Sequence, residues 1–221
     1  QARDVFGNRN ALVLGLVRQH RPGDAIADRP HAINLGAEIV VGFDLPARVE
    51  FQSDLVETQS FGVRTAADGD QHSYLEIADA IRQYGASAEE DCAQLWRRVV
   101  FNILISNTDD HLRNHGFLYD PAGGWRLAPA YDLNPVPVDI KPRILTTAID
   151  EEDGTASLDL ALATAAHYKL KPKMAHRIMR EVGAAVAGWR EAAGALGLSK
   201  NSIERMASAF EHEDLRQATN S

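Results

Sequence analysis

The chain has 221 residues, 45% hydrophobic and 24% charged, the balance of an ordinary globular protein with room for one large domain or two small lobes. Its formal net charge of −8 argues against broad contact with nucleic-acid phosphates, and no run nears the roughly 18 consecutive apolar residues that would span a membrane. A single cysteine, Cys92, excludes an intrachain disulfide and any zinc site built on several thiolates, as fits a reducing cytoplasm.

The sequence starts at Gln1 with no signal peptide in view, as expected of a fragment or a processed product. "ALVLGLV" (11–17) and "AEIVVGFDL" (37–45) read as buried strands, rich in Val, Ile and Leu. Between them Pro22, Gly23 and Pro30 mark a loop, and "TAADGDQH" (65–72) is a second polar break. From Ser73 the period becomes helical: Tyr74, Ile77, Ile81 and Tyr84 share one face up to Gly85. A capping box, Ser87 to Glu90, opens a helix reaching about Ser106, with Leu95, Val99, Val100, Ile103 and Leu104 as its apolar stripe. Cys92 on that helix reads as buried filler.

A polar run follows, "NTDDHLRNHGFLYD" (107–120). Then "GFLY" and "WRL" flank "DPAGG" as a β-hairpin, with Pro121, Gly123 and Gly124 in the turn and Trp125 in its core. "APAYDLNPVP" is a second polar–apolar junction, stiffened by Pro129, Pro135 and Pro137, and "RILTTAI" (143–149) is a strand candidate. The remainder is helical, near 156–163, 172–196 and 200–212. The long helix starts at Pro172, with Met174, Ile178, Met179 and Val182 in the core and His176 at the surface.

The chemistry lies in the two junctions. Asp109 and Asn114 bracket four residues, "DHLR", and Asp132 follows eighteen residues after Asn114, past the hairpin. Protein kinases use that order: a catalytic-loop Asp, four residues, an Asn, a hairpin and a metal-binding Asp. Phosphoryl transfer asks little covalent help of the protein, but the triphosphate charge must be neutralised and an acceptor hydroxyl aligned. One carboxylate takes the hydroxyl proton, while an amide oxygen and a second carboxylate suit Mg²⁺, a hard ion. Taken singly, the same residues also suit plainer roles: Asp109 and Asp110 ending a helix, Asn114 and Asp132 holding turns. His111 and His115, four apart, raise a metallohydrolase, but Leu112 stands where H-E-x-x-H has its glutamate.

"NILISNTDDHLRNHGFL" followed by "WRLAPAYDLNPVP" resembles the catalytic core of the HipA family, the kinase toxins of bacterial toxin–antitoxin pairs. "SYLEIADAI" is similar to that family's preceding helix. The resemblance spans about residues 67–215. It implies an α+β fold: a mostly helical kinase-like C-terminal lobe over 67–215, a divergent or truncated β-containing nucleotide-lobe remnant over 1–66, and a tail at 216–221. It implies ATP and Mg²⁺ as cofactors, with Asp109 as catalytic base and Asn114 and Asp132 as metal ligands. His111 and Arg113 would meet nucleotide phosphates, with Tyr131 beside the metal carboxylate. The implied partners are a protein substrate, such as an aminoacyl-tRNA synthetase, and a HipB-like DNA-binding antitoxin, with no direct nucleic-acid or membrane contact. Asp110 falls where the family varies and is expected to face solvent, and His115 to satisfy a loop carbonyl. The sequence departs from the pattern upstream. Residues 1–140 hold no lysine, "GNRNALVLG" is no phosphate-cradling G-x-G-x-x-G, and Gly42 and Leu45 replace arginines of the family's "RFDR" segment. A kinase-derived fragment that only binds a partner is therefore the alternative.

Overall fold

The structure, a computed structural model, describes residues 72–120 and 123–221, together with the backbones of three strands: β1 (Leu12–Val17), β2 (Glu38–Phe43) and β3 (Leu55–Glu57). The expected loop at Pro22, Gly23 and Pro30, the break at 65–71 and Pro121 lie outside the described residues. β1 and β2 pair antiparallel, Leu12 opposite Phe43, so the two apolar runs are strands as their composition predicts. β3 pairs antiparallel with β5 (Gly116–Tyr119), which pairs with β6 (Trp125–Leu127) to give the sheet order β3-β5-β6. Gly123 and Gly124 close the β5–β6 turn at φ 112° and 100°, where a side chain would be strained.

β4 (His72–Ser73) leads directly into α1 (Tyr74–Tyr84), and α2 (Ala88–Leu104) follows. β4 pairs in parallel with β7 (Thr147–Ala148), all that forms of the strand expected over 143–149. The C-terminal half holds α3 (Leu158–Thr164) with a 3-10 turn at Ala165–Tyr168, α4 (Pro172–Ala187), α5 (Trp189–Ala195), α6 (Lys200–Phe210) and α7 (Glu213–Asn220). The single long helix expected over 172–196 is thus two, broken at Gly188, whose φ and ψ of −82° and 13° leave the helical range. Residues 216–221, expected as a tail, are largely the second half of α7. That helix packs on α4, where Gly183 lies so close to Ala218 that an added Cβ would stand 2.6 Å from the Ala218 Cβ.

One core runs through the helices, and α2 is its axis. Leu95, Val99, Val100, Ile103 and Leu104 are fully buried, as the stripe predicts, with Trp96 and Cys92 among them. Each large apolar side chain so buried contributes roughly 1.5–3 kcal/mol relative to exposure. Burial also pushes the Cys92 thiol up from its ordinary pKa, the condition of an inert packing thiol. At the rim one expectation fails: Met174, in the first turn of α4, is 37% exposed rather than in the core; Tyr84, at the end of the α1 face, is 41% exposed.

Of the two helix starts, Ser73 caps as expected and Ser87 does not. Ser73 forms a reciprocal capping box, its Oγ accepting from Leu75 N while Glu76 accepts from Ser73 N at 3.0 Å. Ser87 has no side-chain cap bond, and its ψ of 61° departs from the extended 148° of Ser73. Thermal melts of single variants separate the two. Ser73→Ala is expected to cost about 1 kcal/mol, and Ser87→Ala less than about 0.5 kcal/mol; equal losses would contradict the assignment.

Candidate active site

The end of α2 decides how the polar loop begins. Ser106 sits at φ 53°, and Ser106 N and Asn107 N donate back to Ile103 O and Asn102 O. This is a Schellman turn with serine in the left-handed position usually given to glycine. The apolar contact that normally closes such a turn is replaced by an amide pair, Asn107 Nδ2 donating to Asn102 Oδ1 at 3.0 Å. The last carbonyls of α2 are taken up from elsewhere, Ile103 O by Arg143 Nη2 at 2.9 Å and Leu104 O by His212 Nε2 at 3.1 Å. A helix end so fully satisfied delivers residues 107–110 in one fixed direction.

There the two neighbouring aspartates part. Asp109 points outward, 70% exposed. Asp110 is 0% exposed, which corrects the expectation that it faces solvent. Three groups donate to its Oδ2: Tyr74 Oη at 2.5 Å, Asn102 Nδ2 at 2.6 Å and His115 Nε2 at 3.0 Å. His115 therefore serves a buried carboxylate rather than a loop carbonyl, with Tyr74 edge-on to its ring at 5.7 Å. The Asp110 carbonyl accepts from Thr147 N and Oγ1, tying the loop to β7. Burial alone would raise the Asp110 pKa. The attraction and hydrogen bond of His115, the Tyr74 hydroxyl and the Arg98 charge outweigh it and hold the carboxyl below its ordinary value. The Tyr74 phenol, buried against that carboxylate, is pushed well up.

Three buried polar residues of α2 carry this bracing, and their spacing of seven and four places them on one face. Asp91 accepts from Leu127 N at 3.0 Å and pairs with Arg126, fixing β6. Arg98 donates to Ala128 O, the first residue of the second junction, and burial pulls its guanidinium down to about 10. Asn102 holds Asp110. An aspartate, an arginine and an asparagine at helical spacing within an apolar helix were a legible sign that something polar is buried against it.

The candidate residues fall on the two junctions. Asn114 closes a 3-10 turn (Leu112–Asn114), its N–H donating to His111 O at 2.8 Å, and its side chain is buried. His111 is half-buried and Arg113 exposed. On the second junction Asp132 is exposed at φ 57°, a left-handed conformation that costs roughly 1–2 kcal/mol outside glycine. Asn134 Nδ2 donates to its Oδ1 at 2.7 Å. The junctions are joined by Tyr131 Oη, which donates to Arg113 O at 2.8 Å, and by Ala128 N, which donates to Gly116 O at 2.8 Å. Asn114 and Asp132 are thus the immediate chain neighbours of a hydrogen-bonded pair. Both offer oxygen, the donor a small hard cation requires, and such an ion keeps waters and substrate phosphates as its other ligands. Among the described residues no three of His, Cys, Asp and Glu gather as a metal site, and His115 has committed its Nε2 to Asp110.

Comparison with known proteins agrees in direction. The family model described as HipA-like C-terminal domain matches residues 39–189. A Haemophilus influenzae protein named "Putative kinase" is 32% identical over 100 residues, 43% of this chain and 29% of that protein. A Sinorhizobium fredii protein, "Putative kinase Y4mE", is 26% identical over 136 residues, 60% of this chain and 26% of its own length. Among solved structures, HipA of Shewanella oneidensis MR-1, in complex with HipB and operator DNA, superposes with a TM-score of 0.55 at 15% identity. That match covers 96% of this chain and 51% of the other, and at such identity it speaks for the fold. The matches span under a third of the two kinase relatives and about half of the solved chain.

Proposed function

The chain belongs to the family of the HipA-like C-terminal domain, and from that membership we propose that it is a HipA-type serine/threonine protein kinase, the toxin of a toxin–antitoxin pair. The observation that carries the reading is the Tyr131–Arg113 bond, which joins the loop bearing Asn114 to the loop bearing Asp132. In this reading Asp109, exposed at the tip of a rigid loop, accepts the proton of the acceptor hydroxyl. Asn114 and Asp132 hold Mg²⁺, His111 and Arg113 meet the phosphates of ATP, and Tyr131 keeps the two loops in register. The metal, when bound, neutralises the charge of the triphosphate. The acceptor is a protein, an aminoacyl-tRNA synthetase being the expected kind, and the partner is a HipB-like antitoxin. Residues 67–215 form the catalytic lobe, and 1–66 what this chain holds of the nucleotide lobe.

Calorimetric titration with ATP and Mg²⁺ tests this directly. Binding should require Mg²⁺ and vanish in Asp132→Ala. A folded wild-type chain that takes up no nucleotide at millimolar ATP refutes the kinase. It would favour the second reading, a kinase-derived module that binds a protein partner, which the absence of lysine from residues 1–140 supports.

A further inference from the structure

Residues 1–140 hold no lysine that could meet nucleotide phosphates, yet the first lysine of the chain stands at the candidate base. Lys141 Nζ lies 3.8 Å from Asp109 Oδ1, and both side chains are open to solvent, 54% and 70% exposed. A surface pair of this kind adds little to stability. What matters is that its backbone is fixed. Ile140 N and Lys141 N both donate to Pro137 O, and Pro142 follows with its restricted φ. Before the turn, Val138 N donates to Ser208 Oγ at 3.2 Å, and that hydroxyl donates to Asp139 Oδ1. After it, Arg143 is held three ways, by Ser106 Oγ at 3.0 Å, Ile103 O at 2.9 Å and Asp214 Oδ2 at 2.6 Å. The turn is braced from α6 on one side and from the end of α2 on the other. The backbone from which the flexible ammonium arm reaches Asp109 is thereby held in place.

We infer that Lys141 is a catalytic residue whose ammonium moves from Asp109 to the transferring phosphoryl group once nucleotide is bound; this rests on the kinase reading above. In the transfer, the acceptor oxygen forms a bond to the γ-phosphorus as the bond from that phosphorus to the bridging oxygen breaks. ADP leaves with the electron pair, and the hydroxyl proton passes to the Asp109 carboxylate. Negative charge gathers on the phosphoryl oxygens beside the Asp109 carboxylate. A compact ammonium on a mobile stem is suited to neutralise it there. The other four lysines lie at 169, 171, 173 and 200, on the 3-10 turn, the start of α4 and the start of α6.

The test needs neither the acceptor protein nor turnover. Affinity of the full chain for MgADP is measured with and without aluminium fluoride, a mimic of the phosphoryl group in flight, in wild type, Lys141→Met and Lys141→Arg. Wild type should bind more tightly with fluoride. Lys141→Met should keep its MgADP affinity and lose the fluoride-dependent gain by about 10²-fold, while Lys141→Arg keeps part of it. A Lys141→Met variant with the full gain overturns the assignment, as does a wild type that binds MgADP but gains nothing from fluoride. A wild type that binds no MgADP at all removes the kinase reading itself, so the two failures are distinguishable.

Discussion

Replacing Asp110 with alanine is expected to destabilise the protein by about 3–5 kcal/mol, the cost of removing one member of a buried charged network, out of the roughly 5–15 kcal/mol that holds a domain of this kind together. The substitution strands the Tyr74 hydroxyl, the Asn102 amide and the His115 ring, all buried and all donating to one oxygen. It also removes the carboxylate nearest in effect to the buried Arg98 charge. Asp110→Asn keeps the shape but sets an amide among donors, and should cost about 1–3 kcal/mol. Urea titrations of the three proteins at neutral pH measure this directly. An alanine variant within about 0.5 kcal/mol of wild type would show that the network contributes nothing.

The same carboxyl sets a dependence on pH. Its folded-state pKa lies below the ordinary carboxylate value, so the unfolded chain binds its proton first as pH falls. The stabilisation is therefore complete above roughly pH 4–5 and is lost as pH drops through the ordinary value of about 3.9 toward the folded one. Wild type should lose stability on that acid limb more steeply than Asp110→Asn. Identical slopes in the two proteins would mean that the carboxyl does not titrate differently on folding.

Much of this molecule could be read in advance, and the misses share one cause. Periodicity revealed α1 and α2, because an apolar stripe must find a core and α2 is surrounded by one. The hairpin was legible from Gly123 and Gly124, and the order Asp109, Asn114, Asp132 from its spacing. The fate of polar residues was not legible, because a sequence shows a side chain's chemistry but not which partner it meets. Asp109 and Asp110 are chemically identical neighbours, separated only by the network that Tyr74, Asn102 and His115 assemble from three places in the chain. Lys141 and Asp109 are thirty-two residues apart, and only the braced turn after Pro137 brings them together. Helix ends failed for a similar reason. Ser87 and Ser73 carry the same capping signature, yet the backbone torsions at the two positions differ and only the Ser73 hydroxyl reaches its amides.

Asp109 should behave in the opposite way to its neighbour. Asp109→Asn removes an exposed carboxylate whose described ion pair is a surface contact with Lys141, so stability should stay within about 0.5 kcal/mol of wild type. Nucleotide affinity should also persist, because Asn114 and Asp132, not Asp109, are the proposed metal ligands. Phosphoryl transfer should instead fall by about 10²–10⁴-fold, the usual contribution of a positioned general base, since an amide cannot take the hydroxyl proton. Asp132→Ala should lose binding and transfer together. The measurement is therefore a pair of titrations and a pair of single-turnover rates on one set of proteins, with melting curves as the control. If Asp109→Asn lost MgATP binding in step with Asp132→Ala, Asp109 would belong to the nucleotide site and not to the acceptor. If it transferred phosphate at the wild-type rate, the proton would be leaving by another route and the assignment of the base would fall. A loss confined to transfer, in a variant as stable as wild type, would divide the two aspartates cleanly: Asp110 holds the loop, and Asp109 uses it.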